Sequence, residues 1–215
     1  FPNQKLGVCF KNRGIYYHTT ILFFYLMDNK LKIRIKKLDE RAVIPTYAHT
    51  DNGDVCMDIT AISVEYDADK DMYIYHTGLA FEGVENYAQF LFLRSSNCKT
   101  EAYLCNHVGV VDPSYRGEVQ FRMKNRTSLE VMRDIAYCMA IVNNINNKNA
   151  NLEEIGREAS VDVLQKAKNL DYAPYNVGDR VGQMVFINYP TVEFEVVDEL
   201  NTSVRGEGGF GSTGN

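Results

Sequence analysis

Disulfide and zinc chemistry have little to work with in this chain. Its five cysteines, Cys9, Cys56, Cys98, Cys105 and Cys138, form no CxxC pair, and no histidine stands beside them at zinc-ligand spacing. They read as buried thiols of a protein held in a reducing, cytoplasmic compartment. Positive charge is also short, with 23 Lys and Arg against 28 Asp and Glu and a net charge of −5. That balance argues against a general binder of nucleic acid or anionic membranes, so a polyanionic ligand has to be met by a local cluster of donors. Long hydrophobic runs are missing too. The apolar stretch at residues 21–26 is far too short to span a bilayer, and no small-residue cleavage site of a signal peptide precedes Met27.

What is present suffices for one domain with a small appendage, since 215 residues at 45% apolar content can furnish a core. Leu31, Ile33 and Ile35 alternate with Lys32, Arg34 and Lys36, the pattern of a half-buried strand. Ile62, Val64 and Tyr66 alternate again, residues 67–71 form a charged turn, and Tyr73 and Tyr75 mark the next strand. Residues 90–93 are a continuous apolar strand, and Val192, Phe194 and Val196 alternate in a last one. Several short strands separated by turn signals predict an all-β barrel or double sheet.

The stretch around which the chain is organised is residues 109–118. Val110 and Val111 lead into Asp112 and Pro113, and Val119, Phe121 and Met123 alternate on the far side. That spacing predicts two strands joined by a tight hairpin that holds a carboxylate and the Tyr115 phenol at a strand end. An ionised aspartate so placed can take a proton from water. Alone, the stretch reads first as an Asx turn with a surface tyrosine. Upstream, Arg94-Ser95-Ser96 offers a guanidinium, two hydroxyls and backbone N–H groups to phosphate oxygens. At the end, residues 205–214 have the composition of a flexible linker. Their order, though, sets Phe210 among glycines beside hydroxyls, a set that can close on phosphates and cover a flat base.

Residues 126–172 have a different period. Ser128 can cap a helix carrying Leu129, Met132, Ile135, Ala136, Met139 and Val142 on one face. After an Asn-rich linker, a second helix sets Leu152, Ile155, Ala159 and Leu164 on one side. This is a helical hairpin inserted in a surface loop, where a longer closure costs little. It serves either as a packing appendage or as a protein-binding, regulatory subdomain.

In order, 94–96, 109–118, Gly178-Asp179-Arg180-Val181-Gly182-Gln183 and 205–214 resemble the motifs of the trimeric dUTPase family. The resemblance runs from about Lys30 to the C-terminus and is broken by residues 126–172. It implies an all-β, dUTPase-like β-clip or jelly-roll barrel with an inserted α-helical hairpin. The implied activity is hydrolysis of dUTP to dUMP and pyrophosphate, which keeps uracil out of DNA and supplies dUMP for thymidylate synthesis. Residues 27–215 form the domain, 203–215 its mobile tail. Family chains carry a strand near their start, so Met27 is the expected natural start and residues 1–26 an extension of unclear origin.

The resemblance also assigns roles. Asp112 is the base that activates water, and Ser95 bonds the oxygen bridging the α- and β-phosphates. Arg94 and Ser96 contact phosphates, Gln183 contacts a phosphate or a magnesium-bound water, and Asn106 and Gln120 line the nucleoside pocket. Val110 and Val111 present backbone groups to the uracil edge, and Tyr115 lies under the deoxyribose. Arg205 reaches the γ-phosphate, Phe210 lies on uracil, and Gly211, Ser212 and Thr213 complete the tail's contacts. Asp58 holds a water of a magnesium–triphosphate complex, against the competing reading of a turn cap. Val55 and Cys56 depart from the family's usual Ala-Gly before this region, and Gly182 stands where Ala is usual. Asp179 and Arg180 read equally as a structural turn and ion pair. A homotrimer with three shared sites is implied, with no membrane or nucleic-acid partner. A dCTP deaminase-like enzyme of the same fold and a nucleotide-responsive regulator acting through the insert are the alternatives.

Overall fold

A computed structural model describes residues 30–49 and 53–208. Cys9, Phe210, Gly211, Ser212 and Thr213, with the calls made on them, lie outside the described residues, as does the extension at 1–26. Lys30–Lys32 belong to a unit separate from the fold that begins at Ile33.

That fold is built from antiparallel strands. Strands β1 (Arg34–Lys37) and β5 (Leu79–Glu82) form a two-stranded ribbon. A four-stranded sheet runs in the order β2 (Met57–Thr60), β10 (Arg180–Asn188), β6 (Tyr87–Phe92) and β8 (Gly109–Val111). A second runs β3 (Ser63–Asp67), β4 (Met72–His76), β9 (Gln120–Asn125) and β7 (Ala102–Leu104). Both sheets feed one core. Ile59, Leu91, Val181 and Met184 come from the first, and Tyr73, Tyr75, Phe121, Met123 and Leu104 from the second. Tyr75 and Phe121 face each other across the β4–β9 ladder and are fully buried. Burying side chains of this size contributes roughly 1.5–3 kcal/mol each, which is why alternating aromatics define these strands. Buried Thr77 keeps its hydroxyl satisfied by donating to the Val119 carbonyl at 2.6 Å.

Several sequence expectations need correction. The strands flanking Asp112 do not pair with each other: β8 pairs with β6, whereas β9 pairs with β4 and β7. The Asp112 loop therefore crosses from one sheet to the other. No strand forms over Val192, Phe194 and Val196. Phe194 is 88% exposed and Val196 97% exposed, since no neighbouring strand of this chain reaches them. The cysteines are not all buried. Cys98, Cys105 and Cys138 are exposed free thiols, with Cys56 partly covered.

The insert forms helices α1 (Leu129–Asn144) and α2 (Leu152–Lys168). Ser128 caps α1 by accepting from the Val131 amide, and Asn151 caps α2 by accepting from Glu154. Leu152, Ile155, Ala159 and Leu164 lie on the covered side of α2, with Gly156, Val163 and Ala167 buried. A Cβ on Gly156 would stand 2.5 Å from the Tyr137 ring, so glycine permits the close crossing. On α1 the covered residues include Met132, Ala136, Tyr137, Ala140 and Ile141. Ile135, Met139 and Val142, expected on the same face, are instead more than half exposed. The insert is tied down at its base. Asp71 accepts the Leu129 amide at 2.8 Å, and Asn125 donates to the Tyr172 carbonyl at 2.9 Å. No described helix is long and apolar enough to cross a membrane.

Candidate functional site

The loop between β8 and β9 opens a cleft of about 380 Å³, within the range of small-molecule sites. Asn106, Val110, Val111, Asp112, Tyr115 and Gln120 all line it. Leu104, Cys105, Glu118 and Arg122 are also part of the wall, and no sequence motif assigns them a role at the site. Asp112 is exposed at the cleft edge, its carbonyl accepting the Tyr115 amide at 3.0 Å. The Tyr115 ring folds back over Gly117 and its hydroxyl donates to the Glu118 carbonyl at 3.1 Å. On the other side, Pro113 lies flush on Gly83, where a Cβ would come within 2.5 Å of the proline Cα.

A second cluster forms where β2, β10 and β6 run side by side. Gln183 is opposite Asp58 on one side and Phe92 on the other, so the pairing register lines up three segments far apart in sequence. Asp58 Oδ1 accepts from Arg94 Nε at 2.7 Å and its Oδ2 from Arg180 Nη1 at 2.9 Å. Gln183 Nε2 donates to the Leu93 carbonyl at 3.1 Å, and Arg94 Nη1 to Ser96 Oγ at 3.4 Å. Ser95 opens a 3₁₀ turn over Ser95–Lys99 and is exposed. Tyr175, just past the insert, donates to Asn97 Oδ1 in that turn at 2.9 Å. Asp179 accepts the Asn176 amide at 2.8 Å, closing a turn, and Arg180 makes the ion pair with Asp58. The Arg94–Asp58 pair has no local signal in the sequence, because its partners are 36 positions apart.

No described group of three or more His, Cys, Asp or Glu side chains is arranged to hold a metal. Both Asp58 oxygens are engaged by guanidiniums, so this carboxylate suits contact with a hydrated magnesium through water rather than direct ligation.

The two clusters do not meet within one chain. Val111 pairs with Gln89, which sets Asp112 level with Ala88, whereas Arg94 lies six residues further along the same strand direction. At about 3.3 Å per residue that is a separation of roughly 20 Å. Arg205 is exposed in a short turn, its Nε donating to the Gly208 carbonyl at 2.6 Å, and it is not among the residues lining the cleft.

Two four-stranded antiparallel sheets, a cleft of small-molecule size edged by a carboxylate, and a separate Arg–Asp cluster define a β-fold protein with a ligand-sized cleft. Comparison with known proteins narrows the class. The dUTPase family model matches residues 154–214. The deoxyuridine 5'-triphosphate nucleotidohydrolase of Solibacter usitatus is 28% identical over 189 residues, covering 87% of this chain and 99% of the relative. That of Trichodesmium erythraeum is 29% identical over 187 residues, covering 86% and 99%. Among solved structures, the dUTPase of Staphylococcus bacteriophage 80alpha with dUPNHPP superposes with a TM-score of 0.56 at 20% identity, covering 86% of this chain and 100% of that one. The dUTPase of phage phi11, described as carrying a species-specific insert, gives 0.51 at 20% identity, covering 80% and 100%. The chain is thus similar to dUTPases over most of its length and matches their family model over residues 154–214.

Proposed function

We infer that this protein is a dUTP diphosphatase that hydrolyses dUTP to dUMP and pyrophosphate, removing dUTP from the pool available to DNA synthesis. The observation that carries the reading is the convergence of Asn106, Val110, Val111, Asp112, Tyr115 and Gln120 on one cleft in a chain similar to dUTPases. Asp112 takes a proton from a water as that water attacks the α-phosphorus in line. The bond from the α-phosphorus to the bridging oxygen breaks, and pyrophosphate leaves. Ser95 donates to that bridging oxygen, while Arg94, Ser96 and Gln183 hold phosphate oxygens. Val110 and Val111 present backbone groups to the uracil edge, with Asn106 and Gln120 beside the nucleoside. Tyr115 lies under the deoxyribose, where it leaves no room for a 2′-hydroxyl. Arg205 reaches the γ-phosphate, Phe210 covers the base, and Gly211, Ser212 and Thr213 close on the triphosphate. Asp58 would contact a Mg²⁺ carried by the triphosphate through water, and that ion would supply charge offsetting the phosphates. Four free thiols among the described residues suit a reducing, cytoplasmic setting.

The roughly 20 Å between Asp112 and Arg94 along the sheet supports a site shared between copies. In a C₃ homotrimer, the cleft of one copy meets the phosphate cluster of a second, and the tail comes from a third. A second role, binding of a protein partner by the insert, is favoured by the apolar residues that α1 leaves uncovered, Val131, Ile135, Met139, Val142 and Ile145. Pull-down with and without the insert tests it.

The deciding experiment is a pyrophosphatase assay on dUTP with dCTP, dTTP and UTP as controls. Release of pyrophosphate from dUTP alone is expected. Ammonia release from dCTP would instead identify a deaminase.

A further inference from the structure

The Asp112 loop joins strands of different sheets, so no ladder between those strands sets its angle. Something else has to hold it, and the contacts of Glu118 meet that need. Glu118 Oε1 accepts the Gly78 amide at 2.7 Å, and its Oε2 accepts from His76 Nδ1 at 2.8 Å and from Gln120 Nε2 at 3.0 Å. The neighbouring Val119 amide donates to the Leu79 carbonyl at 2.9 Å, and Thr77 donates to the Val119 carbonyl. Residues 76–79 thus grip residues 118–119 at four points. The grip passes directly to the loop, because Tyr115 donates its hydroxyl to the Glu118 carbonyl.

The charges around the clamp are few. Glu65 on β3 faces the other ring nitrogen of His76 at 3.6 Å. Arg122 on β9 donates to Gln120 Oε1 at 3.1 Å. Asp39 and Arg41, on the turn packed against Gly78, pair with each other. Burial pushes the Glu118 carboxyl up, but the bonds from His76, Gln120 and the Gly78 amide outweigh it and leave the group below the ordinary value of 4.5.

We propose that Glu118 is a positioning residue for dUTP hydrolysis: clamped by His76 and the Gly78 amide, it fixes the angle at which the 112–117 loop presents Asp112 and Tyr115. This rests on the dUTPase reading above. Misplacing a reacting group by about 1 Å can cost about 100-fold in rate. Loss of the clamp therefore acts on kcat, because Asp112 contributes in the transition state, and much less on KM.

The test is steady-state kinetics of the full chain carrying Glu118→Ala, Glu118→Gln or His76→Phe. E118A is expected to lower kcat between about tenfold and 100-fold, with KM for dUTP within about threefold of the parent. E118Q keeps an oxygen for the Gly78 amide and is expected to regain most of the loss, and H76F to lower kcat about threefold to tenfold. If E118A does not fold, H76F alone decides. A kcat within twofold of the parent in E118A, or in H76F where E118A is unfolded, overturns the inference. So does a rise in KM at constant kcat, which would make Glu118 a ground-state contact. A parent chain that leaves dUTP intact would instead sink the dUTPase reading itself.

Discussion

Asp112 carries the chemistry in this account, and one oxygen-to-nitrogen exchange isolates it. Asp112→Asn keeps the shape of an exposed side chain and removes the base, so turnover is expected to fall by about 10²–10⁴-fold. Binding of a non-hydrolysable dUTP analogue should hold near the parent affinity. Parent-like turnover in a variant that binds the analogue would show that another group takes the proton. Gly182 illustrates a different constraint on a single residue. Family members usually carry Ala there, but a Cβ at this position would overlap the ring of fully buried Phe121. Gly182→Ala is therefore expected to lower stability by about 1–3 kcal/mol, read as a lower urea midpoint. The same change in a Phe121→Leu background should cost at least about 1 kcal/mol less, since the two side chains compete for one space. Equal costs in both backgrounds would show that the clash is relieved elsewhere.

Among the elements, the insert is tied to the β-fold by few bonds, chiefly Asp71 to the Leu129 amide and Asn125 to the Tyr172 carbonyl. Replacing residues 127–172 by a short loop is expected to retain dUTP hydrolysis within about tenfold, a tolerance that follows from the small entropic cost of changing a loop's length. A folded variant that has lost activity would mean that Tyr175, bonded to Asn97 in the phosphate turn, needs the helices to hold it. The same elements show how far the sequence could be read. Alternation marked β3, an aromatic pair marked β4 and a continuous apolar run marked β6, the last two being largely covered on both faces. Ser128 marked the start of α1 by its capping chemistry. Helix α1 carries apolar residues at 131, 132, 135, 136, 139, 140, 141 and 142, more than half its circumference, so periodicity alone could not choose the covered face. Turn residues around Asp112 signalled a reversal but not that β8 and β9 join different sheets. The Asp58–Arg94–Arg180 cluster depends on strand register across β2, β6 and β10, which no local pattern encodes.

For the whole molecule, two observations point beyond one chain. The cleft and the phosphate cluster are separated along β6, and the extended segment with Phe194 and Val196 presents apolar side chains that this copy does not cover. Apolar alternation without a cover fits the shared-site reading, in which another copy would supply the neighbour that residues 192–196 lack here. The central claim is that each site is assembled from different copies, and complementation between two inactive chains tests it most directly. One chain carries Asp112→Asn, and the other ends after Thr202 and so lacks the tail. Each is unfolded, mixed in equal amounts with the other, and refolded, and dUTP hydrolysis is measured alongside proof of mixed trimers. If cleft and tail come from different copies, roughly a quarter of the sites in a closed cyclic trimer hold one intact element from each chain, and activity returns to about that fraction of the parent's. Mixed trimers that stay as inactive as the separate variants would contradict the shared site.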